Sequence, residues 1–226
     1  GTIPAKIAGV LRVVMVTPPQ KNGRIDPHLL VAAKKVGVDA IYKIGSAWAI
    51  AALAVGTKTI PKVDMIAGPG NMYVSLAKKI LSGTVGIDMI AGPSEILIIA
   101  DETANPAYLA ADLLSQAEHD ALASSVLVTP SEKIAKATLT EIDKQLAHLK
   151  RQETARSALS AYGGIFVVKT LTAAVSLANT FAPEHLELQV HHPFDLLGQI
   201  RHAGAVFLGQ YTPEPIGDYV AGPNHT

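Results

Sequence analysis

The chain contains no cysteine among its 226 residues. Disulfides are therefore excluded, and so is any zinc site built on thiolates. A metal here has to use histidine, carboxylate or weaker oxygen ligands, and a reducing, cytoplasmic setting is expected. Charge is scarce as well, at 17% of residues, and it balances at 19 basic against 19 acidic groups. A neutral surface offers nothing that would draw nucleic acid or an anionic membrane. No long apolar run exists: the longest, Ala47 to Val55, is nine residues and too short to span a bilayer. No basic-then-apolar leader opens the sequence, so no signal peptide is expected. The dinucleotide fingerprint GxGxxG is also missing.

What is present is an apolar chain, 49% hydrophobic with a mean hydropathy of +0.28, long enough for one large or two small cores. Strand, turn and helix signals alternate. Val10–Val16, Asp39–Ile44 and Asp64–Ala67 read as strands. Helices follow from Asp26-Pro27, from Trp48 to Val55, and from the Asn71 cap to about Leu81. The second half repeats the scheme, with strands at 95–100, 125–128, 164–168 and 205–208. Its helices start at Asn105-Pro106, at Ser131, after Lys150–Arg156 and at Thr170. This alternation predicts an α/β fold with mostly parallel sheets and crossover helices. A break near Ser82-Gly83-Thr84 divides it into residues 1–84 and 85–226. The end, 212–226, reads as a Pro- and Gly-rich loop.

The centre of the pattern is 86–120. EILIIA (95–100) reads as a buried parallel strand. Asn105 and Pro106 then cap a helix that ends in Ser115, Gln116, Glu118, His119 and Asp120. Gln116 and His119, three apart, share a face. As chemistry alone this is a weak metal signal, because glutamine is a poor zinc ligand, and Asp112 or Asp120 is the more natural companion for His119. A solvated histidine at a helix end is the plain alternative. Gly68-Pro69-Gly70-Asn71 reads either as an ordinary strand–helix turn or as a nucleotide contact at a helix start. Glu184-His185, after the Phe181-Ala182-Pro183 break, reads either as an acid–base pair or as an acidic helix start. His191-His192 reads as surface, with side chains on opposite faces. Asp218, on the terminal loop, reads either as an Asx turn or as a ligand reaching the carboxyl edge of the sheet.

Taken together, GPGNMYV (68–74), GIDMIAGPSEILIIAD (86–101), DLLSQAEHD (112–120), FAPEHLEL (181–188) and GDYVAGPNHT (217–226) resemble histidinol dehydrogenase, in order and spacing, over nearly the whole chain. The resemblance implies two incomplete Rossmann-like units. Residues 1–84 would form the NAD side, and 85–226 would carry the zinc and catalytic residues. It implies NAD-dependent oxidation of histidinol to histidine, zinc bound by Gln116, His119 and Asp218, and Glu184 and His185 as the acid–base pair. It also implies substrate contacts from Ser94, Gln116, His119, His185 and Asp218, with His225 in a segment lining the pocket, and an NAD contact from Asn71. A homodimer is implied as well. Trp48 stands where the family has a glutamine touching NAD, and an indole accepts no hydrogen bond. The family chain is longer at both ends and carries a fourth zinc ligand, a histidine, beyond residue 226. The expectation is thus an internal portion of the enzyme, inactive alone; the alternative is a non-catalytic α/β module derived from the scaffold.

Overall fold

The computed structural model describes residues 1–90 and 92–221, without the side chains of Asp218 and Tyr219. The chain forms two compact units that divide between Gly92 and Pro93.

The first unit runs α1 (Thr2–Ile7), β1 (Val14–Val16), α2 (Pro27–Lys35), β2 (Ala40–Tyr42), α3 (Ser46–Val55), β3 (Met65–Ile66), α4 (Met72–Leu81) and β4 (Gly86–Ile87). Its strands make two separate parallel pairs, β1 with β2 and β3 with β4. The helix starts follow their caps: Asp26 accepts the His28 amide ahead of α2, and Asn71 accepts the Val74 amide ahead of α4. Ile50, Leu53, Ile60, Ile66 and Val85 form the core of this unit. β4, read from the sequence as part of the second unit, pairs here with β3.

The second unit runs β5 (Glu95–Ala100), α5 (Pro106–Ala117), β6 (Ser124–Thr129), α6 (Glu132–Leu146), α7 (Gln152–Tyr162), β7 (Gly163–Val167), α8 (Leu171–Phe181), β8 (His185–Gln189), α9 (Pro193–Leu197), β9 (Ala205–Leu208) and α10 (Pro215–Tyr219). Its five strands are all parallel, in the order β7-β6-β5-β8-β9. The chain thus builds outward from β5 to one edge, then returns to the other side of β5. This is the winding of a dinucleotide-type sheet, with its switch point between β5 and β8. β5 is central and alternates between two cores. Ile96, Ile98 and Ala100 meet α5, α6 and α7, while Leu97 and Ile99 meet the α8 side. Each buried isoleucine or leucine contributes about 1.5–3 kcal/mol, so this strand anchors the unit.

Three expectations change here. Residues 185–189 form an inner strand rather than a helix start, because Ala182 ends α8 in the left-handed region (φ 54°) and turns the chain straight into β8. Residues 215–219, expected as loop, form the short helix α10. The rings of His191 and His192 lie edge to face at 4.2 Å, so they do not point to opposite sides.

Candidate active site

Ser94, Glu184 and His185 lie at the amino edge of the sheet of the second unit. Ser94 directly precedes β5, and its carbonyl accepts the Ser124 amide at 3.1 Å. Glu184 and His185 open β8, the neighbour of β5, where His185 pairs with Ile96. The α5 helix runs back across the sheet, so its last turn, with Gln116, returns to this same edge before β6 begins. The carboxyl-edge reading concerned Asp218, whose side chain lies outside the described residues. At the carboxyl edge sits a cavity of about 230 Å3 lined by Thr103, Gln189, His191 and Tyr211 among others.

His185 is held tightly. Its side chain is 4% exposed, and Nδ1 lies 3.1 Å from the carbonyl oxygen of Glu95. A carbonyl only accepts, so Nδ1 carries the proton and Nε2 is left as the basic nitrogen. Phe207 packs at 6.1 Å from the ring. Glu184 is one-third exposed; its Oε2 accepts the Glu95 amide at 3.3 Å and lies 3.9 Å from His185 Nδ1. One β5 residue thus fixes both members of the pair. Gly204 completes the support: a Cβ there would come within 2.7 Å of the Glu184 carbonyl.

Gln116, in the last turn of α5, is 5% exposed. His119 lies just past the end of α5 and is exposed, with its carbonyl held by Arg151 at 3.1 Å. Asp120 accepts the Leu122 amide in a local turn. Asp218 falls within α10, but its side chain lies outside the described residues, as do Asn224 and His225 entirely. Among the described residues, no group of three or more His, Cys, Asp or Glu side chains is placed to hold a metal.

The structure adds residues that the sequence did not single out. Glu214 Oε1 stands 3.8 Å from His185 Nε2. Asp112, expected beside His119, instead accepts a hydrogen bond from Gln189 Nε2 at 2.9 Å, and the same nitrogen donates to Glu187 Oε2 at 2.7 Å. Burial pushes the Asp112 carboxyl up to about 6. Burial, then the nearby Asp112 carboxyl, pushes Glu187 well above the ordinary range. The strict alternation in HLELQ was the available signal for a strand with one polar face.

In the first unit, Gly68 takes a φ of 124°, open to glycine alone, and its amide donates to Asp88 at 2.7 Å. The buried Lys78 donates to Asp88 at 2.7 Å and to the Gly68 carbonyl. Asn71 Oδ1 accepts the Val74 amide at 3.2 Å as the α4 cap. Trp48 is 75% exposed.

Taken as a class, the second unit is a Rossmann-ordered α/β domain with a neighbouring glutamate and histidine at the start of an inner strand. Known proteins carry this further. The histidinol dehydrogenase family model matches residues 1–226. The chain is 60% identical over 224 residues to a histidinol dehydrogenase from Thermosynechococcus vestitus and 58% identical over 223 residues to one from Bacillus cereus. A crystal structure of histidinol dehydrogenase from Elizabethkingia anophelis superposes with a TM-score of 0.95 at 46% identity, covering 100% of this chain and 52% of that one. The chain belongs to the histidinol dehydrogenase family, a family of oxidoreductases. It spans about half the length of the relatives it matches, 99% of this chain against 52% of theirs.

Proposed function

We propose that the chain supplies the zinc-, substrate- and part of the NAD-binding surface of a histidinol dehydrogenase, which oxidises L-histidinol to L-histidine. The observation that carries this is the locked imidazole. His185 donates from Nδ1 to the Glu95 carbonyl and keeps Nε2 basic, beside a partly exposed glutamate tied to the same residue. In this reading Nε2 takes the proton of the substrate hydroxyl as hydride leaves the carbinol carbon. Glu184, nearer to solvent, then deprotonates the water that adds at the aldehyde stage. Each proton transfer of this kind is worth about 10²–10⁴ in rate.

Gln116, His119 and Asp218 would hold zinc, with Gln116, His119, Asp218, His185 and Ser94 facing the substrate. The place of Gln116 in the last turn of α5, three residues before His119, supports the set. When bound, the metal supplies a template that orients the substrate nitrogens, and NAD supplies the hydride acceptor. Asn71 would touch NAD through its NH2 group. The same reading makes the working protein a cytoplasmic homodimer, without nucleic-acid or membrane partners.

Zinc competition with a chromophoric chelator tests the ligand set. Gln116→Ala and His119→Ala should each weaken binding about tenfold or more, as loss of a ligand does. Unchanged affinity in both would remove the zinc assignment. Calorimetry with zinc present should show L-histidinol binding and simple primary alcohols failing to bind. Equal binding would point to a general alcohol oxidoreductase instead.

A further inference from the structure

Along β8, His185, Glu187 and Gln189 project to one face, and Leu186 and Leu188 to the other. The polar three are 3%, 0% and 2% exposed. Glu187 is therefore a carboxyl in the interior, and among the described residues no lysine or arginine pairs with it. Apolar side chains of similar volume serve such a seam as well or better when packing is the only requirement. What a carboxyl does that leucine cannot is accept hydrogen bonds in two directions. Glu187 Oε2 takes the Gln189 amide at 2.7 Å, and Oε1 takes the backbone N–H of Glu214 at 2.9 Å. Glu214 is the residue that starts α10, and its own carboxylate reaches to 3.8 Å from His185 Nε2.

We propose that Glu187 is a positioning residue, which pins the start of α10 to the strand carrying His185 and so sets where Glu214 and Asp218 stand relative to the acid–base pair. The role rests on the reading of His185 and Asp218 given above, but the anchoring itself does not need zinc or substrate. The contact joins residues 27 apart in sequence and ties the residue before α10 to an inner strand. Anchoring does not require Glu187 to be charged, since a neutral acid accepts the amide and donates to Asp112. Glutamine keeps the acceptor oxygen for the Glu214 N–H, and its NH2 is met by Gln189 turning its own amide oxygen inward; leucine keeps neither group.

The test uses the 226-residue chain in five forms: unchanged, Glu187→Gln, Glu187→Leu, Glu214→Pro and Glu214→Ala. Proline at 214 removes the donated N–H at a φ of −48° that proline tolerates, and alanine removes only the carboxylate. Amide hydrogen exchange over residues 212–219 is read without any ligand. Glu187→Leu and Glu214→Pro should speed it about tenfold, the effect of one lost hydrogen bond, while Glu187→Gln and Glu214→Ala leave it unchanged. The β5 and β6 amides should stay protected, which separates local release from unfolding. Zinc affinity, which a purely structural contact would not move, should fall about tenfold in Glu187→Leu and recover in Glu187→Gln. Unchanged exchange in both Glu187→Leu and Glu214→Pro overturns the anchoring, as does a glutamine variant that behaves like leucine. If Gln116→Ala leaves zinc binding unaltered, the ligand set is wrong, and the exchange result still decides the anchor.

Discussion

Two carboxyls buried side by side make the second unit sensitive to pH in an unusual direction. Asp112 moves up from 3.8 to about 6, and Glu187 moves up as well, burial being the main cause for both. A carboxyl that holds its proton more firmly folded than unfolded stabilises the fold below its unfolded value. That contribution is lost as pH rises through the folded value. Asp101 acts in the opposite sense. Burial pulls it upward, but the Thr103 hydroxyl and the His191 and Thr103 amides outweigh this and leave it below the ordinary value. Its contribution disappears in acid. The second unit should therefore be most stable near pH 4–5 and should lose about 2 kcal/mol between there and pH 8. Thermal unfolding across that range, followed by circular dichroism, measures it, and Glu187→Gln should flatten the alkaline side. A melting temperature that climbs steadily from pH 5 to 8 would contradict the shared burial of the pair. None of this was legible in the sequence, where Asp112 stood next to His119 as a possible companion. Only folding brings β8 against α5 and turns a helix aspartate and a strand glutamate into one group.

Elements with local signals were readable, and those whose evidence is tertiary were not. EILIIA and the Asn105-Pro106 start lie where the sequence put them, because a buried apolar run and a side-chain cap act within a few residues. β8 was missed because its inner face is polar. A buried stripe of His, Glu and Gln looks like a solvent face until the helix that covers it is known. The Gly68 turn was readable as a turn, but not the clamp beneath it. Lys78, 2% exposed, joins Asp88 and the Gly68 carbonyl, and so ties the start of α4 to the end of β4. Burial works against the Asp88 charge, but Lys78 and the Gly68 amide outweigh it and keep the carboxyl ionised. Removing one partner strands a charge. Lys78→Met should cost about 3–5 kcal/mol, and adding Asp88→Asn should recover much of it. Urea unfolding followed by circular dichroism gives both values. A loss under about 0.5 kcal/mol, the level of an exposed pair, would show that the clamp is not buried in solution.

At the scale of the whole molecule, the apolar composition that opened the sequence has a visible consequence. The second unit closes two cores around β5. The first unit has only two short strand pairs and leaves much apolar surface open. On α4, Met72, Leu76 and Ile80 are spaced by four and are 66%, 53% and 71% exposed, with Tyr73 beside them at 60%. That spacing places them in one row along the helix, so they form a stripe and not scattered contacts. Burying an aliphatic side chain of this size gains about 1.5–3 kcal/mol, so three in a row are enough to drive contact between copies of the chain. The isolated 226-residue chain should therefore self-associate with rising concentration. Placing lysine at both Leu76 and Ile80 removes two of the three aliphatic contacts and adds like charge. Association should then weaken by about a hundredfold. The core of the unit should be untouched, since Ala77 and Ile66 face inward. Light scattering and sedimentation on the unchanged chain and the double variant decide it. An unchanging monomer mass at every concentration would mean that the exposed α4 stripe does not drive association. Equal association by both proteins would move the sticky surface to another face, with the exposed Leu11 and Trp48 the next residues to replace.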